Sequence, residues 1–269
     1  MTLPRWIAPG AVVFVVLWLA LMVIGRSGMF RDPGTFWHIT TGEIILKEGF
    51  IRYDPYTFSF AGSWWVPFQW LGEVGMALAH RVSGFDTELL AAVTILAGTF
   101  AFLTVRLLRT GLHPIVVAAV MGLGMAAAGS HFHVRPHVVT MAALAITVAL
   151  LTDFDMRKGT LRRLFWLIPL FVFWVNVHGG VIGGFATVAI AAGGWVVFWL
   201  FGWPSPVNSW REALAVVLLA IACVLTALVN PYGIDMLRVW HKIMDEPILR
   251  EIIQEHRPLD PTAEYAWPL

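Results

Sequence analysis

The chain has 269 residues, of which 58% are hydrophobic and 13% charged, and its formal net charge is +1. Its mean hydropathy is +0.75. A soluble domain carries about 25% charged residues, so the composition excludes an ordinary soluble enzyme. The near-neutral balance gives no nucleic-acid partner, which needs a basic face. The partner implied is a lipid bilayer, and the fold class is all-α integral membrane.

About seven apolar runs approach the roughly 20 residues that a helix needs to cross the hydrocarbon core. In order they are Ile7–Gly25, Leu89–Leu108, Pro114–Gly129, Val138–Leu151, Leu164–Val177, Val181–Phe201 and Ala213–Val229. Only Arg5 is basic ahead of the first run, and no small-x-small cleavage pattern follows before Arg26. It therefore reads as a retained anchor rather than a signal peptide. Cations near the span ends set the orientation. Arg106, Arg109, Arg157, Lys158, Arg162, Arg163 and Arg211 gather on one side, whereas the short loops opposite hold only Arg135. The N-terminus is then inside and the C-terminus outside. The segments 26–88 and 230–269 lie outside, within one membrane domain spanning 1–269.

The first external segment has structure of its own. Thr35–Lys47 spaces Phe36, Ile39 and Ile44 at helical intervals, which predicts a helix lying in the interface. Tyr53–Gly62 contains Asp54-Pro55 and predicts a turn followed by extended chain, with Asp54 as a turn residue. Trp70–Val82 returns to helical spacing. Trp64, Trp65 and Trp70 fit an aromatic interface belt or, alternatively, a sugar-stacking surface. Pro231-Tyr232-Gly233 stops the last span, and a second amphipathic helix is expected at Glu246–His256. Cys223 is alone in an apolar run and is expected to pack.

With this orientation the concentrated polar chemistry falls on the outer face: Asp32, His38, Asp54, Glu73, His131, His133, Arg135, His137, Asn176, His178, Asn230 and Tyr232. Ionisable groups at membrane depth are costly and face a cavity or a partner, so a one-sided set points to a site. Asp32, just after the first span, is placed to take a proton from a hydroxyl, or else to cap a helix with Pro33 at its first position. His131-Phe-His-Val-Arg-Pro-His137 packs three imidazoles and a guanidinium into one connection. Arg135 suits a phosphate, with His133 and His137 as further donors. A His-x-His divalent-cation site and plain interfacial anchoring are the other readings. Asn176-Val-His178-Gly-Gly ends a span and reads as a close backbone approach or a broken helix, or as a helix end with a satisfied histidine.

This layout resembles the GT-C superfamily of polytopic glycosyltransferases. An acidic residue, Asp32, follows the first span, and a long external loop with interfacial helices comes after it. A His/Arg cluster, His131–His137, sits in a later external connection. The strings Asp32-Pro-Gly-Thr-Phe-Trp-His-Ile, Asp54-Pro-Tyr-Thr-Phe-Ser, Trp70-Leu-Gly-Glu, Arg135-Pro-His, Trp174-Val-Asn-Val-His-Gly-Gly and Asn230-Pro-Tyr-Gly look like a group of bacterial membrane proteins near those enzymes. The resemblance implies a multi-pass protein of the bacterial cytoplasmic membrane. It would transfer a sugar from a polyprenyl-phosphate carrier to an acceptor hydroxyl at the extracytoplasmic face, with inversion. Asp32 would be the general base. Arg135, with His133 and His137, would bind the donor phosphate, and His38, Glu73, Asn176 and His178 would bind substrate. The chain departs from the pattern in two ways. Asp32 is followed by Pro33 where many members pair two acids, and the chain ends at Leu269 without further spans or a soluble domain.

Other classes compete. A non-catalytic membrane protein binding a lipid phosphate or a partner protein would use the same cluster with Asp32 dispensable. A transporter would need polar residues at mid-span and repeat pairing, and neither is visible. An acyltransferase would use His178 as base.

Overall fold

The computed structural model describes residues 7–246 and residue 248. Among these the chain is helical, with one isolated antiparallel bridge from Tyr53 to Trp64. The helices are α1 (Ile7–Leu19), α2 (Arg26–Met29), α3 (Gly34–Glu48), α4 (Trp70–Ser83), α5 (Phe85–Arg109), α6 (Pro114–Ala128), α7 (His137–Asp155), α8 (Leu161–Leu164), α9 (Leu167–Val177), α10 (Val181–Leu200), α11 (Trp210–Leu225) and α12 (Ile234–Asp245). Short 3₁₀ turns extend α6 to His131 and α11 to Leu228.

Five stretches are long and apolar enough to cross a membrane: Phe85–Arg109, Pro114–His131, His137–Asp155, Val181–Leu200 and Trp210–Leu228. The sequence had led us to expect about seven. The first expected span is a shorter apolar helix, Ala8–Ile24, that changes from α to π winding at Ala20–Ile24. The fifth is cut at both ends. A turn at Phe165–Trp166 separates α8 from α9, and His178 leaves the helix in an extended conformation at φ −159°, ψ 139°. The remaining 11 residues of α9 rise about 16 Å, roughly half the hydrocarbon thickness. Their apolar character has another cause. Leu167, Phe171, Trp174 and Val175 are fully buried because α4, α7, α10 and α11 pack around α9. A helix apolar on all sides is equally a core helix or a lipid-facing one, and length separates the two.

The segment between the first two apolar helices holds α3 and α4, at the two stretches where helical spacing predicts helices. Phe36 is exposed, and Thr35, His38, Ile39, Thr41, Gly42 and Ile45 turn inward. Small side chains allow this. A Cβ on Gly42 would lie 2.0 Å from the Glu73 carbonyl oxygen, so α3 and α4 touch backbone to backbone. A single residue, Gly84 at φ +61°, separates α4 from α5, the first of the long apolar helices.

Between the two helices, Asp54 is the turn residue expected of it. Its Oδ1 accepts from the amides of Tyr56 and Thr57 at 2.8 and 3.1 Å. The stop after α11 is also local, since Asn230 Oδ1 accepts from the Tyr232 amide at 2.8 Å. Helix α12 follows that stop, and the amphipathic helix expected at Glu246–His256 falls almost wholly outside the described residues. Cys223 is buried in the core, as expected of a packing residue.

The helix ends divide the polar chemistry. At one end, Arg106 of α5 pairs with Asp153 of α7 at 2.7 Å, and Trp195 of α10 donates to Asp155 at 2.7 Å. The opposite end gathers the start of α5, the start of α7 and the end of α9 under α3 and α4.

Candidate functional site

Asp32 and Arg135 meet at that second end. Arg135 Nη1 donates to Asp32 Oδ2 at 2.6 Å, and the Gly34 amide donates to Asp32 Oδ1 at 2.6 Å. Asp32 lies one residue before the N-cap, which is Pro33 rather than Asp32, and its carboxylate accepts from the first amide of α3 while holding the guanidinium. Burial of the carboxyl works against ionisation, but the Gly34 amide and the Arg135 charge outweigh it and hold Asp32 below the ordinary carboxylate value. A Cβ on Gly34 would crowd Asp32 Oδ1 at 2.8 Å and Arg135 Nε at 3.1 Å, so a side chain here would push the pair out of its present geometry. Thr35 Oγ1 donates to the Val134 carbonyl at 2.8 Å and ties the start of α3 to the His/Arg connection.

The histidines line up beside this pair. The rings of His131 and His133 lie 6.5 and 6.4 Å from that of His137, and the ring of His178 lies 6.1 Å from it. His137 Nε2 donates to the His131 carbonyl, and His133 Nδ1 is buried without a partner. Among the described residues no three His, Cys, Asp or Glu side chains are arranged to hold a metal ion.

His178 is set by a relay. Trp174 Nε1 donates to Thr140 Oγ1 at 2.8 Å, Thr140 contacts His178 Nδ1 at 2.9 Å, and the Gly180 amide donates to the same Nδ1 at 2.9 Å. With Nδ1 accepting, the proton sits on Nε2, which becomes a fixed donor. Burial, with His137, Arg135 and His38 adding smaller effects, pushes the His178 pKa down to about 3, so the ring is neutral. A side chain at Gly180 would clash with Thr140 and His178, which explains the second glycine of the motif.

His38 and Glu73 form a buried pair at 3.1 Å where α3 and α4 touch. Glu73 is 3% exposed, and its Oε2 has no partner. Burial pushes its carboxyl above the ordinary value, against the opposing pull of His38. Asn176 sits differently from the substrate-binding role expected of it. It accepts from Trp70 Nε1 at 2.6 Å and donates to the carbonyls of Val172 and Val229 at 2.7 and 2.9 Å. It straps α4, α9 and the end of α11 together.

The structure thus brings Asp32, Arg135, His133, His137 and His178 into one neighbourhood, with His38 and Glu73 in the α3–α4 seam above it. Thr140 was not legible beforehand. Its signal is a lone hydroxyl in the first turn of an apolar helix, one turn from His137. Beside Arg135, helices α4, α5, α7 and α9 enclose an apolar groove of about 330 Å³, bounded by Arg135 and Glu88 among its few polar residues.

The fold and this arrangement define an all-helical membrane protein with a polar site at one end of its bundle. No family model, no curated protein and no solved structure matches the chain.

Proposed function

We propose that the protein is a membrane glycosyltransferase moving a sugar from a polyprenyl-phosphate carrier to an acceptor hydroxyl at the extracytoplasmic face. The observation that carries this reading is the Asp32–Arg135 pair: a carboxylate and a guanidinium from separate connections, beside an apolar groove. A phosphate offers the guanidinium two oxygens in place of one carboxylate oxygen. As the donor phosphate takes Arg135, Asp32 loses a cation and becomes a better base. Asp32 then accepts the acceptor's hydroxyl proton, and the freed oxygen attacks the anomeric carbon. The bond to the carrier phosphate breaks, and the phosphate leaves with its electron pair, stabilised by Arg135. Attack from the face opposite the leaving group inverts the centre. His178 Nε2–H and the imidazoles of His133 and His137 supply donors around the phosphate or the sugar, and no step uses a metal.

The test is transfer by the purified protein from a panel of polyprenyl-phosphate sugars, with Asp32→Asn alongside. Release of carrier phosphate by the wild type and not by the variant supports the reading. A second reading has its own observation: Asp32 is fully employed as an acceptor for the first amide of α3 and an ion-pair partner, as it would be in a non-catalytic protein that binds a lipid phosphate. Tight carrier binding with no release in either protein favours that reading.

A further inference from the structure

One buried acid of the groove takes no part in the reading above. Glu88, in the first turn of α5, is 2% exposed. Its Oε1 contacts His80 Nδ1 at 2.8 Å, and its Oε2 is buried with no partner. A buried carboxylate oxygen without a hydrogen bond is costly, and one helix turn further on it would be surrounded only by alanines and isoleucine. Glu88 also lines the groove that Arg135 lines.

The groove's wall is almost wholly apolar, and Glu88 and Arg135 are its two charged residues. Glu88 and Arg135 stand at the helix starts of α5 and α7. From there the lining continues through Ala91 and Ile95 down α5 and to Phe173 on α9. Glu88 to Ile95 is two turns of helix, about 10 Å. A ligand matching this lining carries an anion for the guanidinium, an N–H or O–H donor for the free carboxylate oxygen, and a hydrocarbon chain for the apolar wall.

We propose that this groove binds a phosphate-bearing lipid whose head carries a hydrogen-bond donor next to the phosphate, with Glu88 taking that donor and His80 holding Glu88 in place. The donor is an ammonium or a hydroxyl, a sugar hydroxyl among them. The site serves a catalyst or a non-catalytic binder equally, so it stands apart from the transferase reading, resting on it only for the choice of phosphate at Arg135.

Two probes differ in the head alone: dodecylphosphoethanolamine, with three N–H donors, and dodecylphosphocholine, with none. Binding isotherms below the micelle concentration, on protein held in a neutral detergent, should show the ethanolamine head bound at least tenfold tighter by the wild type. In Glu88→Met the preference should vanish. A preference based on head size would survive that substitution. Gly75 also lines the groove, and a Cβ there meets nothing within 4 Å, so the side chain of Gly75→Leu starts in open groove space and should weaken both probes, with a thermal melt checking that the variant stays folded. Equal binding of the two heads by the wild type overturns the proposal. So does a preference that persists in Glu88→Met, or unchanged binding in Gly75→Leu. A transfer assay that fails leaves this result untouched, and the reverse holds.

Discussion

Arg135 and Asp32 stand 103 positions apart in the chain, yet their side chains meet at 2.6 Å. The contact is half-buried, with about a fifth to a quarter of each side chain exposed, where charge-assisted hydrogen bonds keep more strength than on an open surface. Asp32→Asn keeps an acceptor for the Gly34 amide and loses the charge. Transfer should disappear while the helical circular dichroism is retained, with a stability loss of about 1–2 kcal/mol. Turnover at the wild-type rate in this variant removes Asp32 from the mechanism.

Arg135→Ala should weaken carrier-phosphate binding, and Arg135→Lys should restore only part of it, because an ammonium cannot repeat the planar fork. Direct titration with a polyprenyl phosphate distinguishes the three proteins. Equal affinity in all of them assigns the phosphate elsewhere.

His178 makes a pH prediction. In the unfolded chain a histidine takes up a proton near pH 6.5, whereas in the folded protein its pKa is pushed down to about 3. Between these values the unfolded state binds the extra proton, so stability falls as pH drops through that window. Glu73 acts with the opposite sign. Its raised pKa adds stability at low pH that is lost as pH rises past the unfolded glutamate range, near 4.3. Melting temperatures from pH 7 to pH 4 should decline less steeply in His178→Gln than in the wild type. Parallel curves would show that His178 is not buried as a neutral ring.

The α3–α4 seam predicts a contrast between two glycines of similar surroundings in the sequence. Gly42→Val places atoms against the Glu73 backbone and should cost about 2–3 kcal/mol. Gly75→Ala meets open space in a helix interior and should stabilise by about 0.5–1 kcal/mol. Thermal melts of the two variants decide it.

Orientation is testable at two exposed positions. Phe58, in the loop between α3 and α4, and Lys158, between α7 and α8, are both exposed. In a Cys223→Ser background, Phe58→Cys should react with an impermeant thiol reagent on intact cells, and Lys158→Cys only after permeabilisation. The reverse pattern turns the site to the cytoplasm.

The sequence was most informative where a single signal had a single cause. Asp54-Pro55 and Asn230-Pro231 are turns because their side chains bond to their own backbone, and α10 begins at Val181, as its apolar run does. Gathering the polar residues by side also placed Asp32, Arg135, His137 and His178 together. Two kinds of information were hidden. The apolar run ending at Val177 does not say whether helices or lipid surround it, so α9 read as a span. The inward face of α3 mixes Ile39 and Ile45 with Thr35, His38, Thr41 and Gly42, because Gly42 allows backbone contact with α4, and hydrophobic periodicity marks Ile39 but not the small and polar positions. Asn176 was legible as a polar residue at the site, but its three partners, Trp70, Val172 and Val229, come from distant stretches that only the fold unites.

The backbone contact at Gly42 and Glu73 bears on traffic. Two helices joined without intervening side chains travel together or not at all, so the plate formed by α3 and α4 has no internal hinge along that seam. The groove runs beneath this plate, between α4 and the starts of α5 and α7. The proposed long-chain ligand of this groove therefore meets, in α4, a wall that shifts only together with α3.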